Sequence, residues 1–216
     1  MSKAKNAKHP LEVAQAAAFK LAANQPWKDI SLRDIADEAE IDLTDLYGVT
    51  DKSSLVAAVE PWADRAMSEE KADLSETPRE RLFDAIMRRF EHMETERAGV
   101  LSMLKGREQT PAGLAKLLKA RRKTADWAVT AASLDTGDPA RLAVQRLALV
   151  RTIAKTERAW KSDEAGDFAR TMATLDAELI EIEERLGQFS RFRSRFRSSG
   201  AASSQPEAPQ AETGEA

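Results

Sequence analysis

Few side chains in this sequence have the types and spacing needed for catalysis or metal binding. The only histidines are His9 and His92. On a helix, Glu96 would share a face with His92, but no third metal ligand lies nearby in the sequence. There is no cysteine, no glycine-rich phosphate loop and no G-x-S-x-G motif. The sequence therefore predicts no enzyme, no metal centre and no cofactor.

Three capped helix starts follow one another between residues 30 and 59, and this spacing is typical of a helix-turn-helix. Each start has Ser or Asp at the N-cap position. The caps are Ser31, Asp42 and Asp51, and the capping-box partners of the first two are Asp34 and Asp45. Only residues 39–41 remain as the turn between the first two helices. Such a unit typically reads the major groove of DNA.

The side chains expected to contact DNA lie on and beside the second of these helices. Thr44, Asp45 and Tyr47 would face the duplex, and Arg33 and Lys52 would flank it. Asp45 is unusual here, because a carboxylate either weakens phosphate binding or accepts a hydrogen bond from cytosine N4. Residues 1–67 contain 8 Lys and Arg against 11 Asp and Glu, a net charge of −3. DNA-binding domains are more often basic.

Residues 11–59 resemble the amino-terminal domain of TetR-type transcriptional regulators. The matching residues are Ala16, Ala17, Phe19, Ser31, Asp34, Ile35, Ala36, Ala39, Leu46, Tyr47, Lys52 and Leu55. The family usually has glycine where this chain has Glu40, so a left-handed backbone there would be strained and the turn could be rearranged. The resemblance implies a small DNA-binding domain followed by a larger antiparallel helical bundle.

Prolines preceded by capping residues predict further helices in the rest of the chain. The pairs are Thr77-Pro78, Thr110-Pro111 and Asp138-Pro139. Apolar residues recur at helical spacing after each pair, and no run shows the alternation of a strand. We therefore expect an all-α protein. Its predicted parts are a flexible basic arm (1–8), a helix-turn-helix domain (9–67), a ligand-binding and dimerisation bundle (68–188) and a basic-aromatic segment with a disordered tail (189–216).

The last helix carries one narrow apolar seam. Its residues are Phe168, Met172, Leu175, Leu179, Ile182, Leu186 and Phe189. This seam could pack inside its own bundle. The resemblance implies instead that this helix and the preceding one pair with their copies across a two-fold axis. The candidate dimer-interface residues are Leu142, Leu149, Phe168, Met172, Leu175, Leu179 and Ile182.

Regulators of this type commonly hold a small effector inside the bundle. The candidate pocket residues are Met87, Phe90, Met103, Trp127, Arg151 and Trp160. Residues of these apolar types at helical spacing are more often simply core. Arg151 could meet an acidic ligand, pair with a carboxylate or face water. The identity of the effector is not readable from the sequence.

The segment from Phe189 to Arg197 interleaves three phenylalanines with four arginines and has no acidic residue. As a helix it could contact an anionic membrane, and as an extended chain it could follow a nucleic-acid backbone. It could also be no more than a frayed helix end kept soluble by its charge.

Two functions remain open at this point. The first is a dimeric, ligand-responsive transcriptional regulator of TetR type, most simply a repressor of operator DNA. The alternative resembles the lipid-binding accessory proteins of ubiquinone biosynthesis, which share the architecture and touch membranes through a terminal helix. Because no apolar run approaches a membrane span and no apolar leader follows the first lysines, we expect a cytoplasmic protein.

Overall fold

The structure, a computed structural model, describes residues 10–105, 111–164 and 166–202, without the side chains of 111–113 and 192–202. Across these residues it is all helical and contains no strand, which confirms the predicted fold class. The helices are α1 (Pro10–Asn24), α2 (Leu32–Glu38), α3 (Leu43–Leu46), α4 (Lys52–Arg65), α5 (Pro78–Thr95), α6 (Arg97–Lys105), α7 (Pro111–Ala131), α8 (Pro139–Lys161) and α9 (Ala169–Ala202). Short 3-10 turns cover Trp27–Asp29 and Ala66–Ser68.

Helices α1 to α3 and the first half of α4 form a small head around one apolar cluster. Ile35 of α2, Leu46 of α3 and Leu55 of α4 are buried together with Phe19 of α1. Ala39 and Ile41 of the turn pack against this cluster and are partly buried. The apolar residues of the predicted helix-turn-helix therefore meet as the sequence indicates.

Helix α4 belongs to both parts of the molecule. Its Leu55 and Val59 are buried, and its second half packs against α5 and α7 of the bundle. Pro61 lies inside the helix and has no N–H, so the carbonyl of Ala57 receives no helical hydrogen bond. One helix thus runs from the head into the bundle, with a missing hydrogen bond near its middle.

Helices α5 to α9 form the bundle, and their starts follow the predicted caps. Thr77 caps α5 in a capping box with Glu80, and Asp138 caps α8 by accepting from the N–H of Ala140. Helix α7 begins at Pro111 as predicted, while its expected cap, Thr110, lies outside the described residues.

The bundle touches the head most closely where α6 crosses α1. Gly99 of α6 is buried there, and a Cβ added to it would lie 2.9 Å from the Phe19 carbonyl carbon and Cα. Such a distance is too short for two carbon atoms. Glycine is therefore required at this crossing, where the two helix backbones touch directly.

The apolar seam of α9 packs inside its own subunit. Leu175, Leu179, Ile182 and Leu186 are buried, and α9 contacts α8 and α5. Leu149 of α8 is buried in the same core. The prediction that Leu149, Leu175, Leu179 and Ile182 form a dimer interface is therefore corrected, because their surfaces are already used within one chain. Leu142, Phe168 and Met172 retain exposed surface.

Helix α9 continues past the bundle through the predicted basic-aromatic segment. Of the two conformations considered for residues 189–197, the structure has the helical one. The side chains from residue 192 onward, like the predicted arm 1–8 and the tail from 203, lie outside the described residues. Among the helices that are described, none is both long and apolar enough to cross a membrane.

Candidate nucleic-acid interface

The caps predicted from the sequence set the geometry of the helix-turn-helix. The Ser31 N–H donates to Asp34 Oδ2 at 2.7 Å, and the Asp34 N–H donates to Ser31 Oγ at 3.1 Å. Asp51 accepts from the N–H of Ser54 at 2.7 Å and so caps α4. These hydrogen bonds lower the pKa values of Asp34 and Asp51 below their usual range.

The turn between α2 and α3 keeps the tight form that usually calls for glycine. Glu40 has φ +54°, in the left-handed region. The N–H of Ile41 donates to the carbonyl of Ala36 at 3.1 Å, and the N–H of Glu40 donates to that of Asp37 at 3.2 Å. This is a Schellman motif. The turn is therefore not rearranged, and Glu40 bears the strain that the sequence predicts for it.

Helix α3 is short and is anchored by one residue. Leu46 is buried, whereas Thr44 and Asp45 are exposed and Tyr47, just after the helix, is 92% exposed. Gly48 then adopts φ +76° and turns the chain towards α4. The structure thus presents Thr44, Asp45 and Tyr47 on one outer surface of the head.

Asp45 also has a structural role. Its Oδ2 accepts from the N–H of Asp42 at 3.3 Å, which completes the capping box at the start of α3. A carboxylate has lone pairs to spare after one such bond. The hydrogen bond explains why an acidic residue stands in the first turn of a helix that is expected to approach DNA.

Lys52 is used inside the head. Its ammonium group donates to the carbonyls of Trp27 at 2.9 Å and Lys28 at 3.4 Å, and to that of Ile30. It also lies over the indole ring of Trp27, 4.9 Å from the centroid. An ammonium group has three N–H donors. The donors predicted to contact phosphate are therefore engaged with the main chain, while Arg33 is exposed.

The reading face is less acidic than the charge of residues 1–67 suggests. Glu60 and Asp64 are included in that count, but both are buried where α4 meets the bundle. Without them, 9 carboxylates stand against 8 cationic side chains. One of the remaining carboxylates, Glu38, pairs with Lys20.

A buried ion cluster fastens α4 to the bundle. Arg89 of α5 has no exposed surface, and its Nε donates to Asp64 Oδ1 at 2.8 Å while its second guanidinium nitrogen donates to Glu60. Thr124 of α7 donates to the other Asp64 oxygen at 2.8 Å. Burial raises the pKa of Asp64, although Arg89 and Thr124 oppose this. The cluster joins three helices through buried side chains, of which Arg89 is fully enclosed.

A third buried carboxylate, Glu157 of α8, lies at the edge of this cluster. It pairs with Arg121 of α7 at 3.0 Å and with Lys161 at 2.9 Å. Burial by itself would raise the pKa of Glu157. Lys161, Arg121 and Arg89 outweigh it and hold this pKa at about 2. Glu157 therefore stays ionised.

The predicted effector residues do not come together around a cavity. Phe90, Met103 and Trp160 have at most 1% exposure, and Met87 is also buried. A side chain without accessible surface faces no space large enough for water. Trp127 is 42% exposed, and Arg151 pairs with Glu181 of α9 at 3.3 Å. These six residues are therefore core or surface, and a pocket formed by them remains only a prediction.

A cleft lies instead between the head and the bundle, and we call it the junction cleft. It has a volume of about 440 Å³. Its walls come from α1, α4, α5 and the residue after α5; they include Gln15, Phe19, Trp62 and His92. His92, considered above as a metal ligand, stacks on Trp62 with ring centroids 4.2 Å apart. Among the described residues no group of three potential ligands is placed to hold a metal ion.

Comparison with known proteins agrees with this architecture. No protein-family model matches the sequence, and no curated protein matches it. By structure, 14 solved chains match. A TetR transcriptional regulator from Nitrosomonas europaea ATCC 19718 is similar with a TM-score of 0.67 and 20% identity, covering 80% of this chain and 97% of that chain. A TetR transcriptional regulator from Rhodococcus sp. RHA1 is similar with a TM-score of 0.59 and 16% identity, covering 79% of this chain and 93% of that chain. At such identities the likeness establishes the fold: the chain has the fold of TetR transcriptional regulators.

Proposed function

We propose that this protein is a transcriptional regulator of TetR type that binds operator DNA through α3. One observation carries the proposal: the helix-turn-helix keeps its tight left-handed turn and presents Thr44 and Tyr47 outward while Leu46 holds α3 to the core. An aromatic residue that is 92% exposed has no role in packing. Its hydroxyl is free to meet a phosphate or a base edge.

The positive contacts of this interface come from few residues. Arg33 of α2 is exposed beside α3 and supplies a phosphate contact. Lys52 supports the interface without touching DNA. Its hydrogen bonds fix the carbonyls that precede α2, and so they fix the position of the capped helix start at Ser31. With so few cations, each head binds DNA weakly, and two heads are needed for useful affinity.

We place the dimer interface on the outer face of α8 and α9. Leu147 of α8 is 74% exposed and Ile180 of α9 is 40% exposed. An open groove runs between α8 and α9, and Arg158 and Ala177 line it. Leu147 lies on the same face of α8 as Arg158, and Ile180 lies on the same face of α9 as Ala177. A two-fold interface needs such a self-complementary patch. Met172, also partly exposed, extends it along α9.

The lipid-binding alternative is favoured by one observation. Helix α9 continues beyond the last buried leucine, Leu186, into the arginine-rich segment 189–197. A helix with alternating Phe and Arg suits an anionic membrane surface. The protein would then bind lipid through α9 and leave the head without a nucleic-acid partner.

Fluorescence anisotropy with labelled DNA from upstream of the protein's own gene tests the first proposal. We expect saturable binding that weakens as the salt concentration rises from 50 to 200 mM, because each cationic contact to a phosphate releases counterions. Tyr47→Ala should weaken it at least tenfold, whereas Leu74→Ala, at a 72% exposed apolar residue in the loop before α5, should not. No binding at 50 mM salt, together with binding to phosphatidylglycerol vesicles that is lost when Arg191, Arg193 and Arg195 become Gln, would favour the alternative.

A further inference from the structure

The junction cleft is placed between two parts of the molecule that the proposed regulator must move relative to each other. Gln15 and Phe19 belong to α1 of the head, Trp62 to the linking helix α4, and His92 to α5 of the bundle. Its volume of about 440 Å³ falls within the range of sites that bind small molecules. A molecule held there would contact both parts at once.

Gln15 is the unusual residue of the cleft. It is 6% exposed, and within the described part of the chain neither its amide nitrogen nor its amide oxygen has a hydrogen-bond partner. A buried polar group without a partner destabilises a protein, so native structures rarely keep one. Gln15 lines the cleft, but both of its amide atoms are closed to solvent in the free protein, so a ligand must turn this side chain to meet its donor and its acceptor.

The other residues that line the cleft indicate the shape and charge of a ligand that would fit it. The rings of Phe19 and Trp62 lie 4.6 Å apart between centroids with an angle of 53° between their planes, and the ring of His92 packs against Trp62 at an angle of 38°. Flat aromatic walls favour a flat, largely apolar ligand. At the mouth, Glu12 and Arg65 oppose each other at 3.9 Å, and Glu96 adds a second carboxylate. An anion would meet more negative than positive charge there, and any charged group would lose hydration against the largely apolar walls, so the cleft suits a neutral ligand.

We propose that the junction cleft is a binding site for a small, neutral, planar molecule that carries an N–H donor beside a carbonyl acceptor, as in a lactam or a primary carboxamide. The paired donor and acceptor of such a group complement both atoms of the Gln15 amide. Binding removes the penalty that Gln15 bears in the free protein, and the aromatic walls cover the flat rings. The site is distinct from the interior of the bundle, where Phe90 and Trp160 leave no space.

The site gives the protein a means of regulation, and this part rests on the proposed function. The ligand contacts α1 and α4 on one side and α5 on the other, so it favours one orientation of the head relative to the bundle. A ligand that binds one orientation better than another shifts the population towards it. The affinity for DNA then changes with the ligand.

Isothermal titration of the full-length protein with quinolin-2(1H)-one tests the site without DNA. This probe is flat and neutral and carries the required lactam. Its 1-methyl derivative lacks only the N–H donor and should bind about tenfold more weakly. Gln15→Met keeps the length of the side chain but has no amide, and it should also weaken binding of the lactam about tenfold.

The same substitution separates a binding role from a structural one. If Gln15 is unpaired in the free protein, Gln15→Met should raise the melting temperature while it weakens binding. A lowered melting temperature would show that Gln15 has a partner within the protein, and would overturn the proposal. Equal affinity for the two quinolinones, or no measurable binding, would overturn it as well.

A blocking variant provides the last control. Ala16 is exposed and lines the cleft, so Ala16→Trp should fill it and abolish binding. Ala57→Trp, at an exposed alanine of α4 outside the cleft lining, should not. If the lactam binds and Ala16→Trp abolishes this, the site stands whether or not the protein binds DNA. If DNA binds but the lactam does not, the proposed function stands and the site fails.

Discussion

Arg89 and Asp64 form an ion pair at 2.8 Å in which the guanidinium has no exposed surface. Arg89 lies on α5 of the bundle and Asp64 on α4, the helix that carries the head. A buried charge is tolerated only when its partners are fixed, since an unpaired one is strongly destabilising. This contact therefore sets how the end of α4 sits on the bundle.

Removal of the cation should leave the buried carboxylates of Glu60 and Asp64 without the positive charge of Arg89 that balances them. We expect Arg89→Met to lower the free energy of unfolding by about 3 to 5 kcal/mol, measured by urea denaturation. Arg88→Met, which removes only a pair with the largely exposed Glu70, should change it by less than about 1 kcal/mol. Equal effects of the two variants would contradict the role assigned to Arg89.

The ionised state of Glu157 makes the protein sensitive to acid. The pKa of Glu157 in the folded state is about 2, below the usual 4.5, because Lys161, Arg121 and Arg89 stabilise the ionised carboxylate. The ionised carboxylate therefore stabilises the fold above pH 4.5, and this stabilisation is lost as the pH falls towards 2. Glu157→Gln should lower the free energy of unfolding at pH 7 by roughly 2 to 3 kcal/mol and flatten its dependence on pH below 4.5. The exposed Glu184→Gln serves as control and should leave this part of the curve unchanged. A variant as acid-sensitive as the parent would refute the assignment.

The strained turn offers a gain in stability. Glu40 has φ +54°, where a side chain is unfavourable and glycine is not. Glu40→Gly should stabilise the protein by about 0.5 to 1 kcal/mol in thermal unfolding. Glu40→Ala removes the same charge but keeps the Cβ, so it should not stabilise. If both variants behave alike, the charge and not the backbone is responsible. Both should bind DNA more tightly, because each removes a negative charge near the reading helix.

The crossing of α1 and α6 should tolerate no side chain at Gly99. A Cβ there would lie 2.9 Å from two carbon atoms of the Phe19 main chain, which cannot yield as a flexible side chain would. Gly99→Ala should destabilise the protein by about 1 to 3 kcal/mol. Gly187→Ala is the matched control, because a Cβ on that exposed helical glycine meets nothing within 4 Å. We expect it to stabilise by up to about 1 kcal/mol. The comparison requires only chemical denaturation of both variants.

Lys52 and Arg33 should separate folding from DNA binding. Lys52→Met removes the hydrogen bonds to the carbonyls of Trp27, Lys28 and Ile30, and should lower the free energy of unfolding by about 1 to 2 kcal/mol. Arg33→Gln should leave stability unchanged and weaken DNA binding, with a smaller salt dependence. Circular dichroism and anisotropy measured on the same samples decide this. If Lys52→Met were fully stable but unable to bind DNA, its ammonium would be a phosphate ligand after all.

The head could be predicted closely because its signals are local. Ser31, Asp42 and Asp51 each act within three residues along the chain, and capping chemistry depends on little else. The same holds for the starts of α5 and α8 at Thr77 and Asp138. For Glu40 the sequence predicts either a strained left-handed backbone or a rearranged turn, and the structure has the strained backbone.

Features that depend on the packing of distant helices could not be predicted in the same way. The spacing of Leu175, Leu179 and Ile182 shows that α9 needs a partner, but an identical seam serves a neighbouring helix or a second subunit. The predicted pocket depends on the packing of distant helices in the same way and stays a prediction, because Phe90 and Trp160 are fully buried with their ring centroids 6.3 Å apart. The sequence does contain a signal for the ion cluster. Arg89 lies seven residues after Leu82 and three after Ile86, which places it on the apolar face of α5. A cation at such a position requires buried acids from another helix.

The clamp on α4 has a mechanical consequence. Glu60 and Asp64, on either side of Pro61, fix one end of α4 to the bundle through Arg89. At the other end of α4, Lys52 supports the loop that precedes α2. Such a helix acts as a lever. It is roughly 20 Å long, so a tilt of about 10° at the gripped end displaces the other by roughly 3.5 Å, close to the rise between successive base pairs. If the protein binds DNA as we propose, a movement too small to unpack the bundle would shift Tyr47 by about one base-pair step.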